Sequence, residues 1–354
     1  MTIPTEPVGS VPRHPELQAG MQAHAEGSMS TAALDELFDA AVSETVARFE
    51  ATGSPVVTDG EQTKSSFATY PLDGLTTLAQ DGVEIPFEDG HVRQLPVITT
   101  GPFEYQNLAG NYVARTRKFT DRPIKQAVIS ASAMGLLYPA AGIDGYSPEQ
   151  FHDDLIDQAA GDIRSCLDAG ADSVQVDFTE GRLALKLDPS GGLLQQFIDL
   201  NNEVFARFSD AELQRIGVHT CPGGDHDSTH SADIDYAGLI PTLLTLKAGR
   251  FFMQMASERD PGRSLAIVAK HVQPHQRVYV GVIDVCTEQV ESSQTVCDRV
   301  LAAAEHIPVG QLGTTDDCGY SPFSDDVATS RDTAFAKISA RVEGTQMAAE
   351  RLGV

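Results

Sequence analysis

The chain has 354 residues, of which 41% are hydrophobic, and it carries 50 acidic against 25 basic side chains, a formal charge of −25. This acidity argues against nucleic-acid binding, which needs clustered lysine and arginine, and no apolar run is long enough to cross a membrane. Five cysteines without close regular spacing do not indicate a disulfide framework. Residues 1–6 show neither the basic region nor the apolar core of a secretory signal. We therefore expect a soluble, cytoplasmic protein without nucleic-acid or membrane partners.

Short β-rich apolar runs alternate with helix-like stretches along the chain. The predicted strands are residues 5–9, 55–59, 124–130, 173–177, 216–221, 251–255, 278–284 and 311–315. The clearest predicted helix begins after Ser147, an N-cap followed by Pro148, and stops at Gly170. Further helices are predicted at residues 193–208, 236–246, 292–306 and 332–352. Eight strands alternating with helices predict an α/β chain folded as one (β/α)8 TIM barrel domain, residues 1–354.

The stretch 71–95 does not follow this alternation. It carries Gly74, Gly82 and Gly90 between short alternating runs. We expect an inserted hairpin there.

Polar residues collect at one end of the predicted strands. The residues at these carboxyl ends are Gly9, Ser10, Asp59, Glu61, Asp177, His219, Cys221, Gln254, Asp284 and Cys318. In a barrel this is the face on which active sites are built. Polar residues scattered through a core would not be expected to gather in this way, so the pattern predicts a functional site.

His219 and Cys221 lie two residues apart and therefore point to the same side of a strand. Cys318 is followed by Gly319, which allows a sharp turn just beyond it. One imidazole and two thiols can hold a zinc ion with one position open, and a thiol that binds in that position loses its proton. The pattern predicts a zinc enzyme that activates a thiol for alkylation; the alternative is three ordinary buried residues.

Other polar residues leave alternatives open. Gln254 and Glu258 are both candidates for a fourth ligand, although Glu258 could instead pair with Arg259. The loop 222–235 contains His226, His230 and four aspartates, and it could be a second metal site, a polar lid or a surface loop.

Glu61 and Asp177 are carboxylates on different strands that together could bind the ammonium of an amino acid. The backbone around Gly9 and Ser10 could receive its carboxylate, because free N–H groups at a glycine turn bind anions. The alternative is that these acids are solvated or salt-bridged. Cys286, two residues after Asp284, is placed to face the site.

Five short motifs in this order resemble the cobalamin-independent methionine synthase family, specifically its catalytic C-terminal half and its shorter single-barrel homologues. The motifs are Val8-Gly9-Ser10-Val11-Pro12, Thr58-Asp59-Gly60-Glu61-Gln62, Val174-Gln175-Val176-Asp177, Val218-His219-Thr220-Cys221 and Asp316-Asp317-Cys318-Gly319.

The resemblance implies a role for each of these residues. It makes His219, Cys221 and Cys318 zinc ligands. It assigns the amino-acid part of homocysteine to Val8, Gly9, Ser10, Glu61 and Asp177. The zinc-bound thiolate then attacks an electrophilic carbon, and methyl transfer gives methionine.

The chain departs from the family at three points. Gln254 stands where the family has a zinc-binding glutamate, and Cys286 stands where the long synthases carry a histidine that assists methyl transfer. With Asp284 they are the candidate catalytic residues. The chain has no tryptophan to stack on a folate. These departures favour methylcobalamin or a corrinoid protein over methyltetrahydrofolate as the methyl donor.

Two other functions remain open. Epoxyalkane:coenzyme M transferases resemble this family and share the H-x-C element with a distant cysteine; in that case the thiolate of coenzyme M opens an epoxide. The third possibility is a barrel with a binding or regulatory role, which requires the cluster at the strand ends to be accidental.

Overall fold

The computed structural model describes residues 2–354. Its strands are β1 (Leu78–Ala79), β2 (Glu84–Pro86), β3 (Val92–Gln94), β4 (Val97–Ile98), β5 (Lys125–Ile129), β6 (Ser173–Asp177), β7 (Ile216–Thr220), β8 (Gly224–Asp225), β9 (Ser228–Thr229), β10 (Arg250–Met253), β11 (Arg277–Gly281) and β12 (Leu312–Thr315). Its α-helices are α1 (Pro15–Ala25), α2 (Thr31–Ala51), α3 (Gly110–Thr116), α4 (Ala131–Gly135), α5 (Pro148–Asp168), α6 (Glu180–Leu187), α7 (Gly192–Phe205), α8 (Asp210–Leu213), α9 (Tyr236–Leu243), α10 (Pro261–His271), α11 (Ser293–Ala304) and α12 (Arg331–Leu352).

A parallel sheet of six strands, in the order β12-β11-β10-β7-β6-β5, forms most of a barrel wall. Two further segments extend it at its edges through single parallel bridges, Thr5 with Thr314 and Val57 with Ile124. These eight segments are those predicted from the sequence, and the TIM-barrel fold is confirmed. The assignment of residues 1–354 to a single domain stays a prediction.

The first two predicted strands are each reduced to one bridge. Toward β12, the Glu6 N–H bonds to Thr314 O (3.0 Å), but the Glu6 carbonyl accepts Arg341 Nη1 and does not continue the ladder. Pro7 faces the opposite neighbour, the segment 55–59, because alternate residues of a strand face the same side, and it has no N–H to donate there. The two segments meet through irregular hydrogen bonds, from Val11 N to Gly60 O (3.1 Å) and from the Thr58 hydroxyl to Gly9 O (2.9 Å). The barrel therefore closes at the segments that carry the predicted amino-acid site.

Helix α5 shows how local sequence sets the outer layer. The Ser147 side chain accepts the Gln150 N–H (3.2 Å) and the Gln150 side chain accepts the Ser147 N–H (2.9 Å), which is a capping box. The five predicted helices are present within a few residues of their expected ends. The other helices, α1, α2, α3, α4, α6, α8 and α10, were not predicted. Apolar residues are weakly segregated to one side in α1 and α2, and α3, α4, α6 and α8 have eight residues or fewer. None of the helices in residues 2–354 is both long and apolar enough to span a bilayer.

The predicted insertion near 71–95 is a hairpin. Strands β2 and β3 pair antiparallel, with Ile85 opposite Arg93, and the short pair β1 and β4 flanks them. The insertion lies on the side of the barrel where the strands end.

A buried ion pair ties the last helix to the barrel. Arg341 of α12 is fully buried, and its Nη1 donates to Asp316 Oδ2 (2.5 Å) and to Glu6 O (2.9 Å). Asp316 follows β12 directly, so this contact joins the first and last barrel segments just before Asp317 and Cys318.

Replacement of Asp316 by alanine should lower the free energy of unfolding by about 3–5 kcal/mol, because Arg341 is left as an unpaired buried charge. Asp298→Ala is the matched control, since its pair with Arg351 is exposed and 3.7 Å long, and it should cost less than about 1 kcal/mol. Urea unfolding measures both. Equal effects would contradict the structural role of the Arg341 pair.

Candidate metal centre and adjoining cavity

His219 presents an unpartnered ring nitrogen at the end of β7. Its side chain is buried, and Nδ1 lies 3.2 Å from the carbonyl oxygen of Phe252 on the neighbouring strand. The carbonyl fixes the proton on Nδ1 and leaves Nε2 as an acceptor. Nε2 has no hydrogen-bond partner within residues 2–354. A buried acceptor without a partner costs about 1–3 kcal/mol, which indicates a ligand position.

Cys221 and Cys318 lie beside this nitrogen. Their sulfurs are 3.2 Å apart and both thiols are free, and one ligand atom from each of His219, Cys221 and Cys318 lies within 4.8 Å of the other two. The shared proton and burial raise the pKa of Cys318 well above its ordinary value. A nearby cation is therefore needed for Cys318 to be a thiolate near neutral pH. The three donors fit a metal ion.

Asp317 fixes the position of Cys318 against β10. Its carboxylate accepts the N–H groups of Met255, Ala256 and Ser257 (2.7–2.9 Å) and the Ser257 hydroxyl (2.6 Å). Burial raises the pKa of Asp317 to about 6, although these hydrogen bonds oppose the shift. The loop after β10 and the loop after β12 are thus held together next to the cysteine.

Close packing around Asp317 and Cys318 explains why two neighbouring positions are glycines. A Cβ on Gly281 would lie 1.9 Å from Asp317 Oδ1, and one on Gly319 would lie 2.1 Å from Ser10 Oγ. Gly319 is therefore required because a side chain there would collide with Ser10, and not because of the sharp turn that the sequence suggested.

Gln254 and Glu258, the two candidate fourth ligands, have different surroundings. Gln254 is buried; its Nε2 donates to the Ser257 hydroxyl (2.7 Å), and its Oε1 has no partner within residues 2–354. Glu258 forms an ion pair with the buried Arg182 instead of Arg259. Of the two, Gln254 has the free oxygen.

A cavity of about 400 Å³ adjoins the cluster. His219, Cys318, Glu61, Asp177 and Ser10 line it on the barrel side. Its other walls are largely apolar, and the inserted hairpin contributes Ile85, Phe87, Arg93, Gln94 and Leu95. Apolar walls around a few convergent polar groups are typical of a small-molecule site.

Two of the predicted carboxylates meet in this cavity. Asp177 lies opposite His219 in the β6–β7 register, and burial raises its pKa to about 6 while His219 opposes the shift. Glu61 Oε1 accepts from the buried Lys64 Nζ (2.9 Å), which also donates to Ala127 O. Gly60 and Glu61 both have positive φ, 68° and 56°. A non-glycine residue in this conformation is strained, as is common at functional sites.

The predicted anion-binding backbone borders the same cavity. Val8 and Ser10 line it, and Ser10 O and Oγ accept the N–H groups of Tyr320 (3.0 Å) and Ser321 (3.3 Å). Gly9 O accepts the Thr58 hydroxyl. Residues 8–10 are therefore held on both sides, and the Ser10 N–H has no acceptor among residues 2–354.

Asp284 and Cys286 lie at the edge of the cluster. Asp284 Oδ1 accepts the Cys286 N–H (3.0 Å) and so shapes its own turn. A Cβ on Gly224 would lie 3.7 Å from Cys318 Sγ and 4.0 Å from Cys286 Sγ, so both sulfurs flank this glycine. Burial raises the pKa of the Cys286 thiol strongly, which leaves it neutral and a poor proton carrier at neutral pH.

The polar loop 222–235 is held to the hairpin by Arg93. The Arg93 Nε donates to the buried Asp225 (2.6 Å), and both Nη atoms donate to Asp325 (2.8 and 3.0 Å). Asp225, His226 and Asp326 could in principle bind a metal, but Arg93 Nη2 already lies 3.3 Å from His226 Nε2. The guanidinium supplies the positive charge there, and the arrangement favours the polar lid over a second metal site. We call Arg93, Asp225 and Asp325 the latch.

Sequence reasoning did not identify Lys64, Glu180, the latch or the role of Asp317. Glu180 lies three residues beyond Asp177, and Asp317 directly precedes Cys318, so proximity to a predicted site residue was the available signal for both. Lys64 lies three residues after Glu61, so the same signal was available for it. Arg93 carried none, because its partners Asp225 and Asp325 are distant in sequence.

Comparison with known proteins agrees with these observations. The family described as "Cobalamin-independent synthase, Catalytic domain" matches residues 3–331. The chain therefore belongs to that family.

Two relatives illustrate the sequence similarity. A 5-methyltetrahydropteroyltriglutamate–homocysteine methyltransferase of Nitratidesulfovibrio vulgaris is 25% identical over 90% of this chain, which spans only 39% of that protein. A methionine synthase of Saccharolobus solfataricus is 23% identical over 99% of this chain and 96% of its own length.

Solved structures show the same fold. A B12-independent methionine synthase from Shewanella sp. W3-18-1 has a TM-score of 0.77 at 19% identity, with 99% of both chains covered. A putative vitamin-B12-independent methionine synthase from Listeria monocytogenes has a TM-score of 0.73 at 20% identity, with 98% of both covered.

Replacement of Arg93 by glutamine should free the hairpin, because Asp225 and Asp325 lose their shared cation. We expect faster amide hydrogen exchange in residues 84–94 and 224–229, by about tenfold, with unchanged exchange in β6 and β7. Arg115→Gln, which removes a half-buried arginine from its pairs with Asp35 and Asp39 on the barrel exterior, is the control. Unchanged exchange in the hairpin of the Arg93 variant would show that the latch does not hold it.

Proposed function

We propose that this protein is a zinc-dependent thiol alkyltransferase that methylates homocysteine to methionine. The observation that carries the proposal is the unpartnered Nε2 of His219 beside two free thiols, at the wall of a cavity that Glu61 and Asp177 also line. Its sequence similarity to the nearly full-length methionine synthase of S. solfataricus supports the reaction. A cytoplasmic location stays a prediction.

His219, Cys221 and Cys318 are the residues that would hold zinc. Imidazole and thiolate are its common protein ligands, and three of them leave a position for substrate. Bound there, zinc would supply the Lewis acidity that keeps a substrate thiol deprotonated. The Gly223 N–H, 3.4 Å from Cys221 Sγ, would stabilise that sulfur as a thiolate. The free oxygen of Gln254 makes it the better candidate for an additional ligand.

The remaining residues would orient homocysteine. Asp177 and Glu61 present carboxylates to its ammonium, and Lys64 Nζ pairs with Glu61 in its buried position. The Ser10 N–H is available for its carboxylate. With both ends held, the substrate sulfur points toward the His219 cluster and attacks the alkyl carbon opposite the leaving group.

The alternative is the alkylation of coenzyme M by an epoxide. Coenzyme M carries a sulfonate and no ammonium, so two carboxylates in the thiol site would repel it. The pair Glu61 and Asp177 therefore favours homocysteine.

The first test is the metal. Cys221→Ser and Cys318→Ser should each lower zinc affinity at least about a hundredfold, more than removal of an outer partner costs, and abolish turnover. Cys297→Ser, in a buried position on α11, is the control and should retain about one zinc per chain. Metal analysis of the purified proteins measures the zinc content per chain. Retention of zinc and activity in both cluster variants would overturn the proposed centre.

The second test is the thiol substrate. Asp177→Asn keeps the shape of the side chain but removes its charge, so homocysteine should bind roughly ten- to a hundredfold more weakly. Coenzyme M should bind the variant as well as, or better than, it binds the original protein. Asp199→Asn, the same change at an exposed position of α7, is the control. Calorimetry measures each affinity; undiminished homocysteine binding would contradict the assignment of Asp177.

A further inference from the structure

Glu180 is a buried carboxylate that the homocysteine site does not use. It is the first residue of α6, three positions after Asp177, and its exposed fraction is 4%. It lines the cavity together with Asp177 and Glu61.

One oxygen of Glu180 is anchored and the other is free. Oε1 accepts the hydroxyls of Ser130 (2.6 Å) and Ser132, and Asn201 Nδ2 donates to Ser132 Oγ (2.6 Å). Oε2 is buried without a hydrogen-bond partner within residues 2–354. The serines thus fix the carboxyl group, and the free oxygen calls for a ligand that donates a hydrogen bond or carries a positive charge.

The charges around the cavity favour a cation. The acidic residues that line it are Glu61, Asp177, Glu180 and Asp325. Arg93 also lines the cavity, but its guanidinium is already paired with Asp225 and Asp325 in the latch. Burial raises the pKa of Glu180 to about 7, and the nearby charge of Asp177 adds to the shift. A bound zinc ion would not make the cavity attractive to anions, because the charges of two thiolates would offset the charge of the ion.

Aromatic rings form part of the cavity wall. Phe67, Phe87 and Phe323 line the cavity. The Arg93 guanidinium already lies over the Phe323 ring, 4.2 Å from its centroid, which shows that a cation is accommodated at this wall. Carboxylate together with aromatic faces is the usual environment for methylated ammonium groups.

We propose that this cavity binds the methyl donor as a compact organic cation, a sulfonium or a quaternary ammonium, with Glu180 Oε2 as its counter-charge. The inference rests on the proposed thiol methylation and names its second substrate class. A cavity of about 400 Å³ suits such a molecule, whereas a whole corrinoid or a polyglutamate chain would have to remain largely outside.

The reaction balances without a further reactant. The homocysteine thiolate attacks the methyl carbon and forms the new C–S bond. The bond from that methyl to the positive sulfur or nitrogen breaks, and its electron pair stays on the leaving atom, which departs as a neutral thioether or amine. No proton donor is needed, in keeping with the neutral thiol of Cys286 where the long synthases carry a histidine.

The test uses trimethylsulfonium as the probe and dimethyl sulfoxide as its neutral, pyramidal control. Calorimetry with the zinc-loaded protein should show binding of the cation, weakened about tenfold or more in Glu180→Gln; the glutamine oxygen can still accept both serine hydroxyls. Glu203→Gln, an exposed change on α7, should bind like the original protein. Methionine and dimethyl sulfide should form from homocysteine in equal amounts.

Equal cation binding by the original protein and Glu180→Gln would overturn this inference, as would methyl transfer only from methylcobalamin or methyltetrahydrofolate. Zinc content and homocysteine affinity are measured on the same samples. If both are normal, such a result overturns only the donor class. If zinc or homocysteine fails to bind, the proposed function fails, and this inference fails with it.

Discussion

The carboxylate of Asp317 joins the barrel to the candidate metal centre. Four hydrogen bonds from residues 255–257 end on it, and Cys318 is the next residue. The loop after β12 is thereby fixed against the loop after β10, whose strand also carries the carbonyl that orients His219. Arg341 and Asp316 anchor the other side of the same turn to α12 and the first barrel segment. The geometry of the three ligand atoms thus depends on contacts among the carboxyl ends of parallel strands.

Much of this arrangement could be predicted from the sequence, because it follows from periodicity and barrel topology. Residues two apart on a strand share a side, which placed His219 with Cys221, and the carboxyl-end rule placed Asp177 and Cys318 at the same face. Other features depend on tertiary contacts that no local pattern encodes. Arg93 meets Asp225 and Asp325 across more than a hundred residues of sequence, and the buried Lys64 donates to Ala127 O, 63 residues away. The sequence predicted strands at 5–9 and 55–59, but proline and closure geometry reduce each to one bridge.

Charge gives the cavity its chemical character. Glu61 is paired with Lys64, whereas Asp177 and Glu180 have carboxyl groups whose pKa burial raises to about 6 and 7. Such groups remain close to the point of ionisation and are stabilised as anions when a cationic ligand arrives. Gln254 contributes to the same balance, because a neutral amide would add no negative charge to the proposed metal centre. A less negative centre binds a substrate thiolate more readily.

X-ray absorption at the zinc edge would test the open metal centre most directly, because it counts the sulfur atoms around the ion. Without substrate, two sulfurs should surround zinc, from Cys221 and Cys318, with nitrogen and oxygen completing the shell. Addition of homocysteine should raise the number to three. A sulfur count that stays at two with homocysteine bound would contradict thiol activation by this centre, and so would zinc bound without any sulfur.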